Sequence, residues 1–257
     1  MWNPRARCDG RWHLTMGPEQ CCLLIGNSRW HWAERSQSGG WSYSHSQPEP
    51  SALAFPAPIS VWAAVGRVPD HPALRPDRRL GLDAIPLGDV PPWLGIDRAL
   101  AAWGAWIQAK QGGSQMVVDA GTVLSVTRVS ADGGFKGGWL AAGLRLQLRA
   151  MAEGTQALPG SDAEEQPASD GEPFPRDSFE AMRRGVVESL VGLIIRAQEL
   201  DPSPLWLCGG DAALLRPVLL KRGLEVNHAP DLVMQSLVRL VSPDPDRSRP
   251  DPPLNRL

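Results

Sequence analysis

Apolar positions along the chain follow two rhythms. Short runs at 23–25, 28–33, 59–65 (ISVWAAV), 116–129 (MVVDAGTVLSVTRV) and 205–208 (LWLC) are unbroken or alternate with period two, which predicts strands. Longer runs repeat at three and four residues and predict helices at 97–110, 139–154, 178–200 and 230–241. Leu100, Trp103 and Ile107 stripe the first of these helices; Val186, Leu190, Leu193 and Ile194 stripe the third, with Gly185 and Gly192 read as points of close approach. Ser178 reads as an N-cap and Gly154 as a C-cap. Asp132-Gly133-Gly134 predicts a chain reversal after the 116–129 segment. Four stretches keep neither rhythm and are expected to be irregular: an N-terminal arm over 1–20, the Ser/Gly/Pro-rich 36–58, the acidic 160–177, and a proline-rich tail over 243–257 that is expected to be disordered.

Strands and helices mixed in this order predict an α/β fold. LLIGNSRWHWA and VVDAGTVLSVT share one layout, an apolar strand, a glycine with a small polar residue, then a second strand. Two such hairpins suggest a duplicated lobe, 21–111 followed by 112–242.

Composition narrows the function classes. The chain has 257 residues, enough for a sizeable core, and 26 Lys plus Arg against 28 Asp plus Glu. No basic field argues for nucleic acid, and no polybasic run argues for a lipid surface. No run reaches the roughly 18 apolar residues of a membrane span, and the first twenty residues lack the apolar core of a secretory signal. Cys8, Cys21, Cys22 and Cys208 show neither zinc spacing nor disulfide density, so a cytoplasmic location is expected. His31, His45, His71 and His228 have no metal-ligand spacing, and the eleven tryptophans read as core.

Candidate chemistry gathers at three turns, each closing an apolar strand: Gly26-Asn27-Ser28, Asp119-Ala120-Gly121-Thr122 and Gly209-Gly210-Asp211. Glycine lets backbone approach a phosphate, amides and hydroxyls donate to its oxygens, and an aspartate can hold a cation. Any one of them is more often a plain turn; three in order are more specific.

With LGIDR (94–98), DAGT (119–122), GGWLAAG (137–143), AEGTQALP (152–159), SFEAMRRG (178–185), CGGDAALL (208–215) and HAPDLV (228–233), the chain resembles the type III pantothenate kinases, which belong to the superfamily of actin, the sugar kinases and the heat-shock chaperone ATPases. The resemblance spans about residues 21–240 and implies two ribonuclease H-like lobes of the actin-like ATPase fold. It implies phosphoryl transfer from ATP to pantothenate, with Mg2+ and a monovalent cation, K+ or NH4+, in a homodimer. Asp97 falls on the catalytic aspartate, and Gly95, Ile96, Asp97 and Arg98 form the pantothenate-binding segment, in which a guanidinium fork suits a carboxylate. Ser178 stands where the family has a pantothenate-contacting threonine. Gly26, Asn27, Ser28, Thr122, Gly209 and Gly210 fall on ATP-contacting positions, and Asp119 on the monovalent-cation aspartate. Each has a plainer use: Asp97 or Ser178 could be a helix cap, Asp119 the closure of a hairpin turn, Gly209-Gly210 a turn without ligand.

Three departures stand out. Leu24 replaces the aspartate that helps hold magnesium on the ATP phosphates, Gly88 replaces an aromatic that lines the pantothenate pocket, and Ala142 replaces a proline. Leu24 leaves two explanations open: magnesium held chiefly by phosphates and water, with Asp119, Asn27 and Ser28 to help, in an active enzyme of weak nucleotide affinity, or a noncatalytic binding or regulatory protein on the same fold. A kinase for another small hydroxyl substrate is a third reading.

Overall fold

The structure, a computed structural model, describes residues 20–36, 39–54, 58–110, 112–158 and 173–242. The expected N-terminal arm up to 19, most of the acidic insert, and the tail from 243 lie outside the described residues. The chain divides into two compact units, Met1–Ile85 with Met234–Leu257, and Pro86–Val233.

The first unit holds β1 (Cys21–Ile25), β2 (Trp30–Arg35), β3 (Trp41–Ser46) and β4 (Ile59–Ala64) in the order β3-β2-β1-β4. β1 runs antiparallel to β2 and parallel to β4. All five β1 residues are buried, which explains why CCLLI reads as unbroken apolar sequence instead of an alternation. Leu23, Ile25, Trp30, Trp32, Leu53 and Trp62 form one core. Trp62 is buried without leaving its indole N–H unpaired, because it donates to the Arg75 carbonyl at 2.8 Å.

The second unit holds α1 (Ile96–Gln108), β5 (Gln115–Ala120), β6 (Val123–Val129), β7 (Phe135–Ala142), α2 (Leu144–Glu153), α3 (Ser178–Leu200), β8 (Leu205–Cys208), α4 (Ala212–Lys221) and β9 (Val226–His228). Its sheet has the order β7-β6-β5-β8-β9, with β5, β8 and β9 parallel. Alternation on β5 sorts its two faces. Met116 and Val118 pack with Leu148, Val186, Leu190, Ile194 and Leu215 of α2, α3 and α4. Val117 packs with Ala101 and Ala105 of α1. The small side chains of α1 set this helix close to the central strand, which places its first turn beside the ends of β5 and β6. The last helix, α5 (Leu232–Val241), starts at the end of this unit and continues into the first.

Several expectations need correction. The 36–58 stretch is not wholly irregular, since 41–46 form β3 and Pro50–Leu53 a 3-10 turn. The predicted 139–154 helix begins only at Leu144; 139–142 complete β7, where pairing with β6 overrides the local helical rhythm. Gly185 and Gly192 face open space, so neither serves close approach. Asp177, not Ser178, caps α3, accepting from the N–H groups of Phe179 and Glu180 at 3.0 and 3.1 Å. Gly154 does cap α2 as expected.

Candidate active site

Asp97 occupies the second position of α1, and Gly95 precedes the helix as its N-cap, so the capping use of Asp97 is not what the structure shows. Its carboxylate instead accepts the N–H of the adjacent Arg98 at 2.7 Å. Burial pushes the Asp97 carboxyl above its ordinary value, and the Arg98 hydrogen bond and charge pull in the other direction.

Arg98 extends across the neighbouring strands. Its Nε donates to Thr127 Oγ1 on β6 at 3.1 Å, and its guanidinium carbon lies 5.9 Å from the Phe135 ring centroid on β7. Trp93 meets Phe135 edge-on at 6.1 Å. Among the described residues no carboxylate pairs with the terminal amino groups of Arg98, which leaves the fork available to an anion. Thr127 and Phe135 were missed in the sequence. Thr127 is one of two buried hydroxyls on β6, with Ser125, so the strand's sequence does not single it out. Gly88 has a local reason as well: its backbone exchanges hydrogen bonds with Gly133 and Phe135, and a Cβ there would sit 3.4 Å from the Gly134 Cα.

Asp119 lies near the end of β5, between Ser125 on β6 and Cys208 on β8. No described residue donates a hydrogen bond to its carboxylate. Burial first, then the charge of Asp97, pushes it up to about 7. The adjacent Cys208 thiol is also pushed up, by burial and then by Asp119 and Asp97. Asp97, Asp119 and Cys208 thus all have pKa values raised chiefly by burial.

The turns around Asp119 converge. Thr122 accepts the N–H of Gly143 at 3.0 Å, and the Asp211 N–H donates to the Ala120 carbonyl at 2.9 Å. Gly209 adopts φ of 90°, and a Cβ there would overlap an Asp119 carboxylate oxygen and the Ala120 backbone. Glycine at 209 is therefore required by the carboxylate beside it. Gly121 and Gly209 border the Asp119 carboxylate, Thr122 follows Gly121 in the turn, and Gly210 lies exposed. Ser178 is exposed at the start of α3 and makes no hydrogen bond to Asp97 or Arg98.

In the first unit the Gly26–Ser28 turn joins β1 to β2. Gly26 donates to the Arg29 carbonyl at 3.0 Å, and its own carbonyl lies where a Cβ on Gly66 would be, so two glycines pack there backbone to backbone. Leu24 is 4 % exposed on β1, an apolar residue in an apolar strand. Among the described residues no three His, Cys, Asp or Glu side chains converge as a metal site.

The sequence model of the type III pantothenate kinase family matches residues 78–199. A type III pantothenate kinase of Synechococcus elongatus is 32% identical over 252 residues, covering 87% of this chain and 98% of that one. The chain belongs to the type III pantothenate kinase family. A second relative of that name, from Synechococcus sp. strain JA-3-3Ab, is 34% identical over 227 residues and covers 83% of this chain and 88% of its own. Among solved structures, a conserved candidate Baf family transcriptional activator from Campylobacter jejuni aligns with TM-score 0.55 at 19% identity, covering 86% of this chain and 95% of that one. A candidate 2-dehydro-3-deoxygalactonokinase from Sinorhizobium meliloti aligns with TM-score 0.54 at 15% identity, covering 93% and 100%. The family chain thus has the actin-like ATPase and sugar kinase fold, mixed α/β with two sheets among the described residues.

Proposed function

We propose that this family member transfers the terminal phosphoryl group of ATP to the primary hydroxyl of pantothenate, giving 4'-phosphopantothenate, the first step of coenzyme A biosynthesis. The observation that carries the reading is the Asp97–Arg98 pair at the start of α1, a half-buried carboxylate beside a guanidinium whose fork is open. Asp97 takes the hydroxyl proton as the new oxygen–phosphorus bond forms, and a carboxyl with a raised pKa is better suited to that transfer. Arg98 holds the pantothenate carboxylate, with Thr127 and the Phe135 ring fixing the guanidinium. Ser178 and the Gly95–Ile96 backbone complete the substrate side.

The residues around Asp119 fit a monovalent cation, K+ or NH4+, since the carboxylate is unpartnered and Gly209 keeps its approach free of a Cβ. Positive charge there would relieve the repulsion between Asp119 and Asp97. Backbone at Gly26, Gly209 and Gly210, with Asn27, Ser28 and Thr122, contacts ATP. ATP supplies the phosphoryl group, and Mg2+ bound to its phosphates supplies charge neutralisation. With Leu24 in β1, that ion would take its ligands chiefly from the phosphates and water.

Two further parts of the reading concern the protein's setting. No helix among the described residues is long and apolar enough to cross a membrane, which fits a cytoplasmic enzyme. The edge strand β7 exposes Trp139 and Leu140, which fits a homodimer that covers them. The test is product analysis by mass spectrometry after incubation with ATP, Mg2+, K+ and pantothenate. Formation of 4'-phosphopantothenate is expected; its absence from folded protein contradicts the reading.

A further inference from the structure

Four residues form a row across the first sheet. Ala63 on β4, Leu24 on β1, His31 on β2 and His45 on β3 are successive cross-strand partners, so their side chains share one face. A carboxylate at position 24 would have stood beside His31. The His31 ring lies 6.5 Å from that of His45, and its Nε2 is 3.7 Å from the point a Cβ on Gly26 would occupy. The imidazole therefore leans along the sheet toward the Gly26–Ser28 turn. It is half-buried, yet neither ring nitrogen hydrogen-bonds to a described residue. Burial, then His45 and Arg29, hold its pKa below the usual value, which favours the neutral ring with one N–H donor. Its nitrogens are not among the fully buried atoms that lack a partner, so they stay open to an incoming oxygen.

We infer that His31 is a phosphate-contacting residue of the nucleotide site, its Nε2–H donating to an oxygen of the polyphosphate bound on the Gly26–Ser28 turn. The inference rests on the proposed reading of that turn as a phosphate cradle. A carboxylate at 24 would meet phosphate only through a bridging cation. Leucine removes that repulsion, and a neutral donor one strand away reaches the phosphate directly. Nucleotide affinity in this chain then depends less on divalent metal.

Calorimetric titration of the full chain with ADP and with adenosine, each in Mg2+ and in EDTA, tests this. His31→Ala weakens ADP binding about tenfold in both buffers, the loss of one hydrogen bond of roughly 1.4 kcal/mol. Adenosine binding is unchanged, and His31→Gln, which keeps an N–H donor, retains most of the ADP affinity. Nitrogen NMR of the wild-type chain needs no variant: the His31 Nε2 signal moves on addition of ADP. The inference is overturned by ADP affinity that ignores His31, by equal losses for ADP and adenosine, by a loss confined to Mg2+ buffer, or by no ADP binding to the wild-type chain. Pantothenate turnover measured on the same samples separates the two claims. Turnover with His31-independent ADP binding removes this inference alone, and His31-dependent binding without turnover removes the kinase reading alone.

Discussion

The first hairpins of the two units have one plan and opposite chemistry. In each, a buried strand ends in a glycine turn, an antiparallel partner follows, and a later strand pairs in parallel on the other side. Leu24 stands two residues before Gly26, and Asp119 two residues before Gly121. Leu24 lies between His31 and Ala63 and is 4 % exposed, whereas Asp119 lies between Ser125 and Cys208 with its carboxyl pushed up to about 7. The repeat therefore keeps the backbone turn in both units and the charge in one. A turn is fixed by backbone geometry, which any small polar sequence with glycine can meet, but a buried carboxylate persists only where a ligand or proton offsets its desolvation.

Removing the Asp97 carboxylate should have the greatest consequence. Asp97→Asn lowers kcat by about 10²–10⁴-fold, the usual contribution of a positioned base, while leaving the melting temperature equal or higher. Steady-state kinetics with calorimetric melting checks both halves.

Asp119 comes next, and its effect is on stability. Its folded pKa of about 7 lies above the ordinary 3.8, so the folded chain holds this proton to higher pH than the unfolded chain does. Stability in cation-free buffer then falls as pH rises from 3.8 to about 7, by at most about 4 kcal/mol. Asp119→Asn flattens that slope, and K+ reduces it in the wild-type chain. Chemical denaturation at several pH values, with and without K+, reads the difference; a slope unaltered by the substitution would place the stability change elsewhere.

Arg98→Lys keeps the charge and removes the fork. A loss of about 1.5–3 kcal/mol, roughly 10–100-fold, is expected in kcat/KM for pantothenate, carried mainly by KM. Leu24→Met, at the matching position of the other unit, should do least: a volume-conserving swap costs under about 1.5 kcal/mol and leaves the ATP KM within about twofold. A large ATP effect there would mean that position 24 still serves the nucleotide.

The sequence made some of this legible and hid the rest for physical reasons. Asp97, Arg98, Asp119 and the glycine turns were visible because short motifs carry them. β3 was hidden because WSYSHS alternates Trp41 and Tyr43 with serines inside a loop-like composition, and as an edge strand it has little apolar face to show. Residues 139–142 looked helical because WLAA continues into the α2 pattern, and only pairing with β6 fixes them as strand. Thr127 and His31 gave no motif signal at all. Their positions depend on cross-strand register, which brings residues distant in sequence onto one face.

The central claim is that the charges of the second unit suffice for phosphoryl transfer although the first unit has leucine in its matching place. Pantothenate-dependent ADP release, measured at saturating ATP and Mg2+ in K+ or NH4+ against Na+, tests it most directly in the wild-type chain and in Asp97→Asn. The account predicts turnover that responds to the monovalent cation and vanishes in the variant. Absence of turnover from folded wild-type protein, or turnover that survives Asp97→Asn, would contradict it.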